Sequence, residues 1–518
     1  MKYYIILILL VVLAFANSIQ NSFVWDDYLM IVDNPRIDLA PKEMLSLFTM
    51  PLSKFTGYPE HLQVYYRPVL FLYFILNYKI WGMNPTGFHL ANILIYITTV
   101  LVLYRAGLHL FDRQENSKLT SLIGASVFAV HPVNSEMAGR AASGEILFGF
   151  FILLSLYFFL KERKYLSLFT FALALLSKEP AVMFPFALVI LAIDKKGIKK
   201  GISTMMPYIM LIGSYFILRT ITVDTVLGSE ITQPVFTRII TMSVAIFDYT
   251  KSFVLPYPLK LFYPAEWHTS LSEPKVILAI ATLIAISFSV YKLRKDKVML
   301  FLLLAPYIML IPVIWRVNTL PVGSNLSSIS NRFLYVSIMP FSLFAAAMAQ
   351  RLFKGYTKKY LVAVCLSVII ILTALTALSN RDWGNNITFF GKIIEQSPNT
   401  EFARIGLGNA YKEAGRLDEA MREWQIALQI NPNQIELFNA VGNIYFLRGD
   451  YEKAINMYET AFIKGSQTVE LYYNLALSLE SVGKKDKASV YYREFIKIAP
   501  AQYKDIVSEL KIRLGNSK

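Results

Sequence analysis

Cysteine and charge are the two things this sequence has least of. Cys365 is the only cysteine in 518 residues, and it lies in an apolar run. An internal disulfide and a cysteine-based metal site are therefore excluded, and cysteine usage carries no information about compartment. Charged residues make up 17% of the chain against roughly a quarter in a typical soluble protein. Hydrophobic residues reach 55% and the mean hydropathy is +0.45. A chain of this kind cannot hide its apolar surface in one globular core, and the bilayer has to take much of it. The net charge of +15 is not a nucleic-acid footprint. From Arg381 onward 18 Lys/Arg face 17 Asp/Glu, so nearly all of the excess sits earlier, among the hydrophobic segments. It reads as topology charge on short membrane loops.

What is abundant is long apolar sequence. Runs long enough to cross a bilayer, or nearly so, fall around residues 3–19, 86–111, 119–131, 142–160, 165–177, 180–194, 201–220, 275–291, 298–315, 333–350 and 360–379. The expected membrane domain is thus residues 1–380 with roughly eleven spans. Lys2, the following apolar stretch and Ala14-Phe15-Ala16 resemble a secretory signal with its cleavage site, but the rest of the chain favours an uncleaved first span. With that span running outward, five Lys/Arg clusters fall on inner loops, among them Arg105/Arg113/Lys118, Lys161/Arg163/Lys164 and Arg351/Lys354/Lys358/Lys359. This positive-inside pattern makes residues 20–85 and 221–274 long outer loops. Their aromatic stretches, Tyr65 to Trp81 and Val235 to Pro256, read as helices lying in the interface.

After Arg381 the period becomes 34. With Glu401 as position one, Gly408, Tyr411, Gly415, Ala420, Trp424, Ala427 and Pro432 define a repeat whose small and aromatic positions recur at Gly442, Tyr445, Gly449, Ala454, Tyr458 and Ala461, and again at Ala476, Gly483, Ala488, Tyr492 and Pro500. This is the tetratricopeptide pattern. It predicts a domain over residues 381–518, with repeats 401–434, 435–468 and 469–502, a partial repeat at 384–400 and a capping helix at 503–514. The fold class is all-α: a polytopic helical membrane domain followed by an α-solenoid that offers a concave surface to a protein or peptide.

Ionisable residues cluster on the loops expected outside. Asp26-Asp27 follows the first span directly; the pair reads either as solvated helix-capping carboxylates or as a general base beside a supporting carboxylate. His131, Glu136 and Arg140 share a short loop. Lys178-Glu179 sits between two apolar runs, Arg332 opens a span, and Arg67 stands in Tyr65-Tyr66-Arg67-Pro68. Each has a bland reading: interfacial histidine, structural ion pair, snorkelling arginine. Together they place carboxylates for proton transfer and cations for a phosphate on one membrane face.

Phe23–Tyr28, Tyr65–Pro68, Gly87–Asn92, Phe128–Pro132, Leu176–Glu179 and Asn380–Trp383, followed by the repeats, resemble in order the transmembrane and tetratricopeptide-repeat-containing (TMTC) O-mannosyltransferases and their bacterial relatives. These belong to the C-type glycosyltransferases. The resemblance implies transfer of a sugar, mannose or another hexose, from a polyprenyl or dolichyl phosphate to an extracytoplasmic hydroxyl, protein serine or threonine being one candidate, with inversion at the anomeric carbon. It implies that Asp26 or Asp27 is the base, that Glu136 matches an acidic position of the family, and that Arg332 lies near the lipid phosphate. Arg67, His131, Arg140 and Lys178 are looser donor-phosphate candidates. No cofactor is demanded, and a divalent cation is left open. The expected location is the inner (plasma) membrane, with the repeats extracytoplasmic. A non-catalytic membrane scaffold and an O-antigen-ligase-type enzyme are the alternatives; the first lacks a reason for the one-sided charge cluster, and the second typically places its working loop late among the spans.

Overall fold

The computed structural model describes residues 1–57, 65–223, 233–264, 266–316 and 327–515. The chain divides into two compact units, Met1–Lys392 and Ile393–Lys518.

The first unit is built almost wholly of helices. In chain order these are α1 Lys2–Phe15, α2 Leu52–Thr56, α3 Pro68–Trp81, α4 Pro85–Leu110, α5 Ser117–Ala129, α6 Ser135–Gly139, α7 Gly144–Leu160, α8 Lys164–Leu175, α9 Phe184–Lys196, α10 Ile198–Thr222, α11 Val235–Val254, α12 Pro274–Leu293, α13 Lys297–Arg316, α14 Leu334–Leu352 and α15 Lys358–Asn380. Two short strands, β1 Tyr263–Pro264 and β2 Ser327–Ile329, pair antiparallel. The core forms where α4 packs on α5 and α7, and where α14 packs on α5 and α13. Phe128, Tyr96 and Tyr335 are fully buried there with their rings in contact. By contrast α10, α12 and α15 turn large apolar side chains outward, Ile217, Phe288 and Ile370 among them. Such surfaces suit lipid rather than water.

The span count needs correction. Seven helices are long and apolar enough to cross a membrane, or eight if the segments 132–139 and 144–160, bent by 118°, form one broken span; roughly eleven were expected. The runs at 119–131, 165–177 and 180–194 fall short. Helix α5 has 13 residues and α8 has 12, about 20 Å at 1.5 Å per residue against a hydrocarbon layer of about 30 Å. The first of these runs ends before His131-Pro132, where the proline cannot continue the helix, the second before Ser177-Lys178, and the third at Gly197. The strict alternation of loops that rested on eleven crossings goes with the count. The chain remains a multi-pass membrane protein.

The aromatic stretches of the two long loops are helical, as α3 and α11; residues 58–64 and 224–232 of those loops lie outside the described residues.

Helix α16 Asn386–Gln396 leads into the second unit. Three antiparallel pairs follow: α17 Glu401–Glu413 with α18 Leu417–Ile430, α19 Ile435–Leu447 with α20 Tyr451–Ile463, and α21 Val469–Ser481 with α22 Lys485–Ile498; α23 Lys504–Gly515 closes the array. The period of 34 has a direct cause. A Cβ on Gly408 would lie 2.3 Å from the Trp424 ring, and one on Gly442 would lie 2.5 Å from the Tyr458 ring. Only glycine lets the aromatic of the second helix sit flat on the first. Residues 381–392, which include the start of the expected partial repeat 384–400, group with the first unit.

Candidate active site

The segment after α1 runs extended from Asn21, and Trp25 takes a left-handed backbone conformation, φ 49°. This reversal turns Asp26 and Asp27 in opposite senses. Asp27 is fully buried. One of its oxygens accepts the Val24 and Ala141 amides at 3.0 and 3.1 Å, and the other accepts the Ala142 amide at 2.7 Å. Burial pushes its carboxyl up to about 6, against the opposing pull of Arg140 and the three N–H donors. Asp27 thus pins the turn between α6 and α7 to the first loop. Asp26 faces the other way, 28% exposed, with its Oδ2 2.9 Å from an Arg140 nitrogen and 3.8 Å from Arg332.

The turn that Asp27 holds is fixed from below as well. Asn92, on α4, donates to the Arg140 and Ala141 carbonyls at 3.1 and 3.2 Å while accepting from Tyr73 at 2.6 Å. His89 Nδ1 lies 3.0 Å from the Ala138 carbonyl. This is the structural content of the Gly87–Asn92 stretch. Gly139 has no room for a side chain, since a Cβ there would meet the Trp383 ring at 2.4 Å. The Asn380–Trp383 stretch therefore closes over the same turn.

From Asp26 the charges continue as an alternating chain. Arg140 and Arg332 each approach Glu136 at 3.7 Å, and the Arg332 amide donates to Glu136 at 3.0 Å. Arg332 also lies 3.9 Å from Glu145, which pairs closely with Lys178. Burial pushes Lys178 down to about 8, against the pull of Glu145. Beyond it Arg67 grips Glu179 with two nitrogens, at 2.8 to 3.1 Å. The Trp25 ring lies against both arginines, 5.4 Å from the Arg140 guanidinium and 5.6 Å from that of Arg332. The ring also stacks on Phe389 at 5.6 Å, and the Trp25 amide donates to Asn386 at 3.0 Å.

Asp26, Asp27, Glu136, Arg140, Lys178 and Arg332 thus come together, with Arg67 at the far end of the chain of charges. His131 does not join them. Its Nε2 lies 3.1 Å from the Phe253 carbonyl and its Nδ1 accepts from the Val133 amide at 3.4 Å. Burial lowers it to about 4, so it is a neutral ring capping the 132–134 turn, not a cation for phosphate. Two members of the cluster, Glu145 and Trp25, were not singled out in the sequence. The signal for Glu145 was a lone carboxylate in the first turn of an apolar helix; Trp25 had none beyond its place before the aspartates.

Glu145, Lys178, Arg332 and Phe333 line a recess of about 290 Å³ that also touches Met309 and Val336. Met309 and Val336 are lining residues of a second, apolar groove of about 460 Å³, walled by Leu103, Ile152, Phe184 and Phe301. The charged recess and the apolar groove therefore adjoin, with Met309 and Val336 in the wall they share. Among the described residues no group of three or more His, Cys, Asp or Glu side chains is arranged to hold a metal ion.

Comparison with known proteins agrees with this architecture. The dolichyl-phosphate-mannose-protein mannosyltransferase family matches residues 66–222, which include Arg67, Glu136, Arg140, Glu145 and Lys178 but neither the aspartates nor Arg332. Tetratricopeptide-repeat families match 408–447, 442–483 and 469–502. Protein O-mannosyl-transferase TMTC3 of Homo sapiens is 26% identical over 97% of this chain and 61% of its own length; the Mus musculus protein is 26% identical over 83% and 51%. Protein O-mannosyl-transferase TMTC4 of Homo sapiens is 30% identical over 33% of the chain and 26% of its own length. The chain spans about half to three fifths of the length of the TMTC3 relatives it matches. It is similar to the TMTC-type O-mannosyl-transferases, with the mannosyltransferase match in the membrane unit and tetratricopeptide repeats after it.

Proposed function

We propose that the protein is an inverting glycosyltransferase that moves a hexose, mannose in the first instance, from a polyprenyl or dolichyl phosphate to a hydroxyl acceptor. The observation that carries the reading is the placement of the charged recess beside the apolar groove, across the shared residues Met309 and Val336. Arg332 and Lys178 suit a phosphate, and the groove behind Met309 and Val336 suits a hydrocarbon tail. A soluble nucleotide donor would need the first and have no use for the second.

Asp26 is the base in this scheme. It is the exposed member of the pair, whereas Asp27 spends both oxygens on backbone amides. An Asp26 oxygen takes the proton of the acceptor hydroxyl as that oxygen bonds to the anomeric carbon. The bond from that carbon to the phosphate oxygen breaks, and the lipid phosphate leaves with the electron pair. Phosphate is a good leaving group, so no general acid is required. Arg332, 3.8 Å from Asp26, offsets the charge that develops on it. Arg140 and the Trp25 ring orient the base, and Glu136 and Glu145 hold Arg332 in place. Asp27 is a positioning residue. Lys2 and Arg105 lie at one end of α1 and α4, and Arg351 pairs with Asp296 at the corresponding end of α14; the cluster lies at the opposite ends of these helices. In this scheme the positive-inside rule, applied to these basic ends, orients the site and the segment that leads into the repeats toward the extracytoplasmic face.

The test is incubation of purified protein with radiolabelled polyprenyl-phosphate mannose and a hydroxyl acceptor. Wild type is expected to release polyprenyl phosphate, and Asp26→Asn to lose about 10³-fold or more in rate, as expected when a general base is removed. Equal turnover by the two removes the base and with it the mechanism.

A further inference from the structure

A second polar recess, of about 450 Å³, lies apart from the acidic cluster and is used by none of the chemistry above. Thr241, Val244, Ala245 and Asp248 of α11 line it together with Lys260, Tyr263, Glu266, His268 and Lys275. Its charges are mostly settled among themselves. Glu266 pairs with Lys275 at 2.7 Å, His268 pairs with Glu273 at 2.5 Å, and the Thr241 hydroxyl accepts the His268 amide at 3.1 Å. Asp248 differs: its carboxylate is half-buried and feels Lys275, Lys251 and His268 through space, but among the described residues it accepts no hydrogen bond. Lys260 is exposed at the same recess; it acts on Glu266 through space, and among the described residues its ammonium makes no hydrogen bond.

The recess shares a wall with the candidate active site. Ile329 lines it. The next residue, Ser330, approaches Glu136 at 3.4 Å. Asn331 accepts from the Tyr263 hydroxyl at 3.1 Å and donates to the Lys260 carbonyl at 2.7 Å. Arg332 then enters the charge cluster. Four consecutive residues thus divide the two cavities.

We propose that this recess binds a neutral saccharide unit of the acceptor; the proposal rests on the glycosyltransferase reading. A half-buried carboxylate that accepts no hydrogen bond calls for a donor, and a lysine beside it calls for an acceptor. Hydroxyl groups are both. The lining carries Asp248 and Glu266 against Lys260 and Lys275, so a charged ligand would leave an unpaired charge on one side. The Tyr263 ring and Val244, Ala245 and Ile329 supply apolar surface for the C–H face of a sugar.

The full-length protein, in lipid nanodiscs and without donor, is titrated with a panel of methyl hexopyranosides under saturation-transfer NMR. Saturable binding of at least one glycoside is expected, weakened about tenfold by Asp248→Asn and by Lys260→Ala, the loss of one charge-assisted hydrogen bond. Lys260 is exposed, so its variant keeps the test valid should Asp248→Asn fold poorly. In the transfer assay both variants should raise the KM for that glycoside and leave donor hydrolysis in water unchanged. Binding in the absence of donor does not depend on Asp26, so failure of the mechanism and failure of this site are separable. No glycoside bound, unchanged affinity in both variants, or displacement of the glycoside by a serine- or threonine-containing peptide would each overturn the proposal.

Discussion

At the residue scale, two adjacent aspartates differ because the backbone between Trp25 and Tyr28 turns one inward and one outward. Neighbouring sequence positions cannot reveal such a difference; it depends on amides at 141 and 142. Asp27→Asn keeps one acceptor oxygen and puts an NH₂ among N–H donors. We expect it to lower unfolding free energy by about 2 kcal/mol or more, since an orphaned buried donor costs about 1–3 kcal/mol. Thermal unfolding in detergent should show a clear drop for Asp27→Asn and almost none for Asp26→Asn. The Asp27 carboxyl also sets a pH dependence. Its folded value of about 6 lies above the ordinary 3.8, so the folded state binds the proton more tightly than the unfolded one. The contribution of Asp27 to stability therefore rises as pH falls from about 6 to about 4. Transfer should move the other way, declining below about pH 6 as the anion that holds the 141–142 turn is neutralised. A pH series of rate and melting temperature on the same samples checks the opposed trends; rate and stability falling together would remove Asp27 as the cause.

Elements were legible in proportion to how local their causes are. The repeats were plain because glycine-on-aromatic contacts such as Gly408–Trp424 recur every 34 residues. The long spans were plain because apolar length is itself the cause. The short helices were misjudged because an apolar run does not disclose whether it faces lipid or other helices. Buried Ala125, Phe128 and Ala129 of α5 are apolar for packing reasons. Of the site, Asp26, Asp27, Glu136, Arg140, Lys178 and Arg332 were visible as loop charges. Glu145 was hidden inside the run read as 142–160, and the neutrality of His131 is a property of its burial and not of its sequence neighbours. The bent segment from α6 to α7 is the element most exposed to test. Gly139→Ala forces a methyl group into the Trp383 ring, an overpacking that costs about 1–3 kcal/mol. It should reduce both melting temperature and transfer, and Gly139→Ala combined with Trp383→Leu should recover part of the melting temperature. A Gly139→Ala protein with wild-type behaviour would show that the two segments are not packed as described.

For the whole molecule, the division of the chain and the division of labour do not fall at the same residue. Trp383, Asn386 and Phe389 belong to the membrane unit and reach the acidic loop. A chain ending after Gln396 should still release polyprenyl phosphate from the labelled donor, whereas one ending after Asn380 should not. Comparing the two truncations in one hydrolysis assay distinguishes residues that complete the site from repeats that serve another purpose. Equal activity of the two would show the 381–389 segment to be dispensable.

The Trp25 amide is held by a side chain 361 positions further on. A ribosome makes the aspartates long before their covering segment, with six of the long apolar helices of the described residues between them. During synthesis the nascent loop has no wall behind Trp25, and its arginine neighbour at 332 does not yet exist. Under the proposed mechanism the site is therefore completed late and all at once, when the segment at 383–389 arrives, and a chain stalled before it is inert toward lipid donors.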